Sequence, residues 1–495
     1  INLRKSGSSN ITTTGNIDCR GFGLTSASSG TFLIDGESVT VANYASFEGG
    51  TFQITSGAFS TTENYDNSNV YSGYNLNGGT IDIDDGTVSF GETSDNAATL
   101  NINGGTLEVS GGILNVSDAI DVITGTITQT GGTINLRNYT GLDNRNQDKL
   151  EMAAGILNLT AGTMNINGEG ANDNYYSLDI ASSVTVNANA NHTIVLMDNT
   201  SGNSSENRYI DMGGNDIGSL THNVSAKNLY FVGSHSLLGT LTNSLGTVRL
   251  DDASETINVA SISQASSGII NISDGELECT GKADIDGKLT MSGGIFDVNG
   301  ELELSSSTNE YITDGAITLA GDFDAANANN FNPTGGTMTL DGSASNVDLS
   351  LHSSGNLYNL TLNNSNGVAL SGGLAVNGNL DLAVGVINLN THILTANVGA
   401  SVVNTSNSSH TYNGHVAKVF NSTSSFTYPC GDGTNYRPVT LTSSTTNSNN
   451  ISAAYMFAAQ NRSSLNNSLS SIETYGWDIQ RFSGSDGFII TSSLI

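Results

Sequence analysis

Cysteine and proline are nearly absent from this chain, which has only 3 of each in 495 residues. Cys19, Cys279 and Cys430 lie far apart and are odd in number, so they form no recognisable disulfide framework. The chain also has no run of about 18 apolar residues, the length that a membrane-spanning helix needs. The sequence therefore predicts neither a disulfide-stapled scaffold nor a helical membrane span.

Positive charge is scarce as well. Lysine and arginine together number 15 against 46 acidic residues, which gives a net charge of −31. This balance argues against binding nucleic acid or anionic lipid through a basic surface. Charged residues make up only 12% of the chain, so most of its polarity is uncharged, unlike that of highly charged disordered proteins.

The motifs of common catalytic and metal sites are missing. We find no G-x-S-x-G, P-loop or C-x-x-C motif, and the seven histidines show no metal-binding spacing. The sequence predicts no catalytic residue, no metal ligand and no cofactor. The sequence leaves calcium binding open, because two groups of residues resemble fragments of oxygen-rich loops. They are Asp82, Asp84 and Asp85, and Asp284 with Asp286.

Glycine is abundant, with 58 residues, and asparagine, serine and threonine are common. The clearest pattern is at 99–118, which reads as three rows, T-L-N-I-N-G-G, T-L-E-V-S-G-G and I-L-N-V-S-D. The apolar residues of these rows form two columns, Leu100, Leu107 and Leu114, and Ile102, Val109 and Val116. Apolar residues two apart describe a short strand with one buried face, and glycine pairs mark sharp turns. Since one row cannot bury its own face, the rows are expected to stack.

Similar rows recur at steps of six or seven residues in 81–90, 270–304 and 374–389. None of them has the spacing of an amphipathic helix. An antiparallel meander with two-residue glycine turns is the alternative, but such short strands suit the side of a prism better. We therefore predict an all-β fold, a parallel β-helix (β-solenoid) of about twenty residues per coil. Right-handed winding is the default for parallel crossovers.

Asparagines recur beside the apolar columns and are expected to form side-chain ladders between coils. They are Asn101, Asn115, Asn135, Asn158, Asn165 and Asn271.

Insertions rich in Asn, Asp, Tyr and Gly interrupt the rows at 60–77, 137–150, 167–177 and 198–215. Insertions in solenoids often emerge on one face, which can be the binding face. Tyrosine rings stack on sugars while Asp and Asn bind hydroxyl groups, so a glycan contact is chemically sensible, although ordinary polar loops are the alternative. The candidate ligand-binding residues are Tyr65, Tyr71, Tyr139, Asp143, Arg145, Tyr175, Tyr176 and Tyr209.

The character of the chain changes near residue 400. We predict the solenoid over 1–400, a Ser/Asn/Thr-rich linker at 401–410, and a β-sandwich-like domain over 411–495. The last segment holds the only tryptophan and many other aromatic residues. Since the chain ends in a strand-like run, this domain is expected to be truncated.

The C-terminal third resembles a known family. N-L-Y-N-L-T-L-N-N-S-N-G-V at 356–368, F-T-Y-P-C-G-D-G-T-N-Y-R-P-V-T-L at 426–441 and W-D-I-Q-R at 477–481 resemble segments of large repetitive surface proteins of Bacteroidota exported by the type IX secretion system. The resemblance covers about 331–495, with Cys430 standing where an aliphatic residue is usual. It implies an extracellular or cell-surface protein of structural or adhesive type, whose partners are a surface glycan or another surface protein, and the secretion machinery during export.

Two other functions stay open. A β-helix lyase or glycosidase would need clustered acids, and the acidic pairs Asp84-Asp85 and Asp251-Asp252 are its nearest candidates, although Asp is also a common turn former. A filament subunit would stack the uncapped ends of its solenoid between chains. We favour a non-enzymatic β-solenoid stalk that displays loops.

Overall fold

The computed structural model describes residues 2–61, 74–91, 98–136, 149–167, 176–197, 207–305, 311–329, 331–343, 347–444, 449–457, 475–484 and 488–491. The chain divides into two compact units, Ile1–Ile269 and Ile270–Ile495. In the described residues every regular element is a β-strand, which confirms the all-β prediction.

The strands are short and follow one another closely. Before residue 268 they are β1 Asn2–Gly7, β2 Ile11–Thr12, β3 Ile17–Ser28, β4 Thr31–Phe47, β5 Thr51–Thr61, β6 Tyr74–Leu76, β7 Thr80–Ile83, β8 Thr87–Phe90, β9 Leu100–Ile102, β10 Thr106–Val109, β11 Ile113–Val116, β12 Ile120–Val122, β13 Thr126–Gln129, β14 Thr133–Leu136, β15 Leu150–Met152, β16 Ile156–Leu159, β17 Gly162–Asn167, β18 Leu178–Ile180, β19 Thr185–Ala188, β20 His192–Met197, β21 Arg208–Asp211, β22 Ser219–Phe231, β23 His235–Leu250 and β24 Thr256–Gln264. From residue 268 onward they are β25 Gly268–Ile272, β26 Glu276–Cys279, β27 Ala283–Ile285, β28 Lys288–Val298, β29 Leu302–Leu304, β30 Tyr311–Leu319, β31 Phe323–Ala325, β32 Thr337–Leu340, β33 Val347–Leu351, β34 Asn359–Asn363, β35 Val368–Leu370, β36 Leu374–Val376, β37 Asn379–Val384, β38 Ile387–Asn388, β39 Ile393–Ala396, β40 Ser401–Val403, β41 Thr411–Tyr412, β42 His415–Phe420, β43 Ser425–Tyr428, β44 Val439–Ser443, β45 Asn449–Phe457, β46 Tyr475–Ser483 and β47 Phe488–Thr491.

The first unit is a parallel β-solenoid with three faces. Face A consists of β7, β10, β13, β16 and β19, and β5 precedes it. Face B consists of β8, β11, β14, β17 and β20, continued by parts of β22, β23 and β24. Face C consists of β6, β9, β12, β15, β18 and β21, continued by parts of β22 and β23. All of these pairs are parallel, so the solenoid is confirmed and the meander is excluded for this unit.

The two apolar columns of the rows stack along the solenoid axis. Leu114 pairs with Val88 on one side and Ile134 on the other, and all three side chains are fully buried. Asn115 and Asn135 are 20 residues apart and pair in register, which confirms the predicted coil length. Each coil therefore buries its apolar side chains against the neighbouring coils. A single row is not stable without those neighbours.

The glycine pairs are required by the stacking of the corners. Gly112 and Gly132 have φ angles of +61° and +62°, which L side chains rarely adopt. A Cβ atom on Gly132 would also lie 2.5 Å from the carbonyl oxygen of Gly111. Both the backbone conformation and the close approach of successive corners thus demand glycine.

At the corner between faces A and B, polar side chains are buried in the interior. His192 is fully buried, and its Nε2 lies 2.9 Å from Oε1 of Gln129, whose Nε2 donates to the carbonyl oxygen of Thr163 at 3.0 Å. Burial lowers the pKa of His192 to about 4, because the charged imidazolium is poorly solvated there.

The predicted asparagine ladders are confirmed for Asn115, Asn135, Asn158 and Asn165, and the prediction for Asn101 and Asn271 stays untested. On face B, Asn165 donates to Asn135 at 2.8 Å, Asn135 donates to Asn115 at 2.9 Å, and Asn115 donates to Ser89 at 3.1 Å. On face A, Asn158 donates to the hydroxyl of Thr128 at 3.0 Å. These bonds run parallel to the backbone hydrogen bonds and join one coil to the next.

The second unit repeats the parallel arrangement. One row of strands is β26, β28, β30, β32, β34, β37 and β40, and another is β27, β29, β31, β33, β35, β38 and β41. The predicted linker at 401–410 is therefore wrong, because Ser401–Val403 pairs with β37 and Thr411–Tyr412 pairs with β38. The segment forms the last coil. Its Ser/Asn/Thr composition is also that of an outward solenoid surface, so composition did not distinguish the two.

Two small sheets follow the last coil. β42 pairs parallel with β39 and antiparallel with β45, which pairs with β46, while β43, β44 and β47 form a second antiparallel sheet. The hydroxyl of Tyr428 donates to the carbonyl oxygen of Ile451 at 2.8 Å and joins the sheets. Buried Lys418 donates to the carbonyl oxygens of Asn397 and Ala400 at 2.6 and 2.7 Å. The sandwich-like domain thus continues the hydrogen bonding of the solenoid across the predicted boundary.

The predicted insertions 60–77 and 198–215 are too wide, since they contain β6 Tyr74–Leu76 and β21 Arg208–Asp211. Tyrosine and arginine occupy the first inward position of these strands, so the apolar pair that marks other strands is missing. The other two insertions are also shorter than predicted, because Leu150 belongs to β15 and Asn167 to β17.

Replacing Gly132 by alanine is expected to lower the free energy of unfolding by about 2 kcal/mol or more, since it combines a left-handed conformation with a backbone clash. Gly15→Ala is the control, because nothing lies within 4 Å of its Cβ position. Urea denaturation followed by circular dichroism measures both. Equal midpoints for the two variants would show that the corners tolerate side chains.

The buried histidine predicts a loss of stability in acid. The folded-state pKa of His192 is about 4 against an ordinary value of 6.5, so between these values the unfolded chain binds more protons than the native chain. Stability should fall as the pH is lowered through this window, by roughly 3 kcal/mol in total for this group. In His192→Gln that contribution is absent, so the difference in unfolding free energy between wild type and variant should change with pH. Parallel pH profiles for the two proteins would contradict this assignment.

Candidate functional site on face C

The described residues that flank the insertions of the first unit lie at one corner. Each undescribed segment of this unit after β5 connects a strand on face B with the next strand on face C. These segments are 62–73, 92–97, 137–148, 168–175 and 198–206, and the second of them was not predicted as an insertion. The described strands on either side thus place the roots of the insertions in one line beside face C.

Most of the predicted ligand-binding residues lie outside the described residues, and their prediction stays untested. They are Tyr65, Tyr71, Tyr139, Asp143, Arg145 and Tyr175. Tyr176 and Tyr209 are described, and the structure places both of them at this corner or on face C, where their rings meet.

Three tyrosine rings and one guanidinium group from successive coils contact one another in a row, here called the tyrosine column, of Tyr176, Tyr209, Tyr230 and Arg249. The rings of Tyr209 and Tyr230 are nearly parallel at 12°, with centroids 5.1 Å apart. Tyr176 meets Tyr209 edge to face with centroids 5.9 Å apart. The guanidinium carbon of Arg249 lies 5.7 Å from the centroid of the Tyr230 ring. Strand register produces this order, because Tyr209 pairs with Tyr230 and Tyr230 with Arg249.

Polar groups border the column on the same strands or next to their ends. Asn228 donates its amide to Oδ1 of Asn207 at 3.0 Å and lies 3.4 Å from the hydroxyl of Tyr230. Arg249 donates from Nε and Nη2 to the carboxylate of Asp251 at 3.1 and 3.2 Å. The column thus presents ring edges and phenol hydroxyls beside an amide pair, a guanidinium group and a carboxylate.

Tyr230 and Arg249 were missed because they lie in regular strands rather than in an insertion. A signal for Tyr230 was present, since Asn207-Arg208-Tyr209 and Asn228-Leu229-Tyr230 share the same pattern one coil apart. No comparable signal marked Arg249.

Carboxylates form a second column on face C. Asp121 pairs with Glu151, Glu151 with Asp179, and Asp179 with Asp211. Burial raises the pKa of Asp179, and the negative charge of Asp211 adds to this effect. Burial likewise raises the pKa of Asp121. Because strands repeat at about 4.8 Å, acidic groups in register repel one another and hold protons more tightly.

A buried ion pair lies beneath the corner from which the insertions leave. Nζ of Lys149 is 3.1 Å from Oδ1 of Asp118, with exposed fractions of 1% and 2%. Arg208 is fully buried, and its Nη2 donates at 2.9 Å to the carbonyl oxygen of Met197, the last described residue before the segment 198–206. These charges fix the strand ends from which the insertions start.

The acidic pairs considered for an enzyme serve as turn and ladder residues. Asp84 accepts hydrogen bonds from Gln53 at 2.8 Å and Ser110 at 3.0 Å. Asp85 accepts from the backbone of Gly86 at 2.8 Å. In the second pair, Asp252 accepts from the backbone of Ser254 at 2.9 Å. These bonds are those of ordinary Asx turns and neighbouring-coil contacts.

Asp82 on face A is the carboxyl group that bears most on acid–base chemistry. Burial, followed by the charges of Asp84 and Glu108, raises its pKa to about 6. Nε2 of Gln53 donates to Oδ2 of Asp82 at 3.1 Å. A carboxyl group that titrates near neutral pH has the property required of a general acid in glycoside hydrolysis.

In the described part of the chain, no group of three or more His, Cys, Asp or Glu side chains is placed to hold a metal ion. The same residues include no helix of the length and apolar character needed to cross a membrane. No family model, curated protein or solved structure matches the chain.

Lys149→Met is expected to reduce the free energy of unfolding by about 3 kcal/mol, because it leaves the carboxylate of Asp118 buried without its cation. The double variant Asp118→Leu/Lys149→Met should regain most of this loss, since neither charge is then buried. Urea denaturation of the four proteins in the cycle gives the coupling energy. A single variant as stable as the wild type would show that water reaches the pair.

Proposed function

We propose that this chain is a non-enzymatic structural and adhesive protein of the cell surface or extracellular space. In this proposal the β-solenoid is the support and face C is the contact surface. The observation that carries it is the tyrosine column beside the line of insertion roots. A β-solenoid is compatible with such a role, although the same fold also serves enzymes.

The support function follows from how the coils are joined. Backbone hydrogen bonds between parallel strands, the asparagine ladders and the buried apolar columns all run from one coil to the next. Bending or separating coils would break several of these together. The predominantly acidic surface keeps neighbouring molecules apart in solution.

For face C we propose a glycan as ligand, and another cell-surface protein as the second choice. Because Tyr209 and Tyr230 cover each other's rings, a sugar would meet ring edges and phenol hydroxyls rather than open ring faces. The amide of Asn228 and the charged groups of Arg249 and Asp251 offer hydrogen bonds to sugar hydroxyls. The acidic column disfavours an anionic polysaccharide, so neutral and amino-sugar glycans fit best.

Location and export rest on the resemblance of 331–495 to Bacteroidota surface proteins, which stays a prediction. We propose extracellular display after passage through the type IX secretion system. The full-length gene product decides this point: a C-terminal type IX sorting domain supports it, and another kind of export signal contradicts it.

The enzyme alternative has one observation in its favour, the raised pKa of Asp82 beside Asp84 on face A. It predicts release of reducing sugar or unsaturated product from a polysaccharide, with a loss of activity in Asp82→Asn.

We expect the full chain to bind neutral or amino-sugar polysaccharides and the variant Tyr209→Ala/Tyr230→Ala to bind at least about tenfold more weakly, a loss of roughly 1.4 kcal/mol. Immobilised polysaccharides and biolayer interferometry give the affinities. Tyr44→Ala is the control, because Tyr44 is a half-exposed tyrosine of the first unit that lies outside the column.

Circular dichroism must show that both variants stay folded. Equal binding by the double variant and the wild type would contradict the assignment to face C. Product release that disappears in Asp82→Asn would replace adhesion by catalysis.

A further inference from the structure

Face B carries two outward columns without a charged residue. The first is Ala58, Thr87, Ile113, Thr133, Thr163, Thr193, Ser219, Thr240 and Ser261. The second is Ser60, Ser89, Asn115, Asn135, Asn165, Val195, Thr221, Thr242 and Ser263. Ser89 occupies an outward position in this column but is buried. Hydroxyl and amide groups dominate both columns, and strand pairing holds them in line along the first unit.

The neutrality of face B contrasts with the other faces. Outward positions on face C carry a carboxylate in four successive coils. Face A has one uncharged outward column, which contains Thr80 and Thr106, but its other outward column includes Asp82 and Glu108. The whole chain has a net charge of −31. Acidic residues are therefore directed away from face B, which favours an extended partner that carries no charge.

The columns are also rigid. Neighbouring members are separated by the strand spacing, about 4.8 Å, because they pair in register. Threonine has restricted side-chain rotamers in strands, so its methyl and hydroxyl groups are held in place. The asparagine ladder fixes the amides, and the hydroxyls of Thr240 and Ser261 are hydrogen-bonded at 2.8 Å. Such a surface loses little conformational entropy on binding.

The most regular part of face B belongs to β22, β23 and β24. There the chain continues from β22 and β23 to face C through described residues, with no undescribed segment between the faces. Ser219, Thr221, Thr240, Thr242 and Ser261 give hydroxyl groups in both columns over successive coils. Thr221 and Thr242 are outward-facing and partly exposed.

The chemistry of the columns selects among neutral partners. Neither described column contains an aromatic residue, so face B lacks the stacking platforms that a crystalline polysaccharide would use. A repeated pattern of methyl and hydroxyl groups instead fits an ordered water lattice. In hexagonal ice, oxygen atoms repeat along one lattice axis at a spacing close to that between β-strands.

We propose that face B binds ice. Its threonine and serine hydroxyls hold water molecules in positions that continue the lattice, and the methyl groups between them exclude disordered water. A protein adsorbed in this way pins the crystal surface, so that ice grows only between bound molecules. The proposal does not depend on glycan binding, because it uses a different face.

The test measures thermal hysteresis and ice-crystal shape with the full chain in a nanolitre osmometer. In the presence of the wild-type protein, an ice crystal should not grow until the temperature falls clearly below the melting point, and the crystal should become faceted. Thr221→Lys/Thr242→Lys should lose at least about nine-tenths of the hysteresis at equal concentration, since two long charged side chains break the neutral array. Thr80→Lys/Thr106→Lys is the matched control, because these threonines pair in register as outward, partly exposed residues of face A.

The control should retain the wild-type hysteresis, and circular dichroism should show the same folded spectrum for all three proteins. No hysteresis in folded wild type would overturn the proposal, as would equal losses in both double variants. If Thr221→Lys/Thr242→Lys instead abolishes sedimentation with crystalline chitin or cellulose while hysteresis is absent, face B binds polysaccharide and the ice assignment is wrong. If it abolishes a dimer seen by analytical ultracentrifugation, the occupant is a second copy of the chain.

Discussion

In-register parallel pairing is the constraint on which the rest of this structure depends. Each residue of a coil lies about one strand spacing from its counterpart in the next coil, with the same orientation. Inward positions must therefore stack apolar on apolar, as Leu114 does between Val88 and Ile134. Corners must stack backbone on backbone, which leaves no room for a Cβ atom at Gly132. The composition of the chain, rich in glycine and poor in proline, follows from this geometry.

The same constraint decides what outward side chains can do. Stacked asparagines stabilise neighbouring coils, because each amide both donates and accepts a hydrogen bond. Asn115, Asn135 and Asn165 form such a ladder. Stacked tyrosines stabilise neighbouring coils through contact between their rings, as Tyr209 and Tyr230 do. Stacked carboxylates are destabilising: burial raises the pKa of Asp179, and repulsion by the charge of Asp211 adds to this effect. A column of acidic residues on face C is thus costly for the stability of the fold.

Sequence patterns predicted the coil because the apolar pair and the glycine corner are local signals. They failed where an interior position is polar: Tyr74 and Arg208 concealed β6 and β21, and serine-rich coil was indistinguishable from linker at 401–410. The candidate site was harder to predict, because its residues are distant in sequence and come into contact only when successive coils stack. Tyr209 could be selected by composition, but its contact with Tyr230 depends on register that variable insertions shift along the sequence. The neutrality of face B could not be predicted for the same reason. The residues of its outward columns are separated in sequence by intervals that change from coil to coil.

In a solenoid with three faces, the outward residues of one face can differ from those of another without changing the shared interior. The interior columns are shared by all faces, so an outward substitution on face B leaves the packing beneath face C unchanged. Insertions at the corner between faces B and C add chain without altering the register of either, because β20 and β21 still pair with β17 and β18 on the far sides of the undescribed segments. The buried ion pair of Lys149 and Asp118 lies at this corner and holds the described strand ends in place. Uncharged and acidic surfaces can therefore lie side by side in one chain of net charge −31.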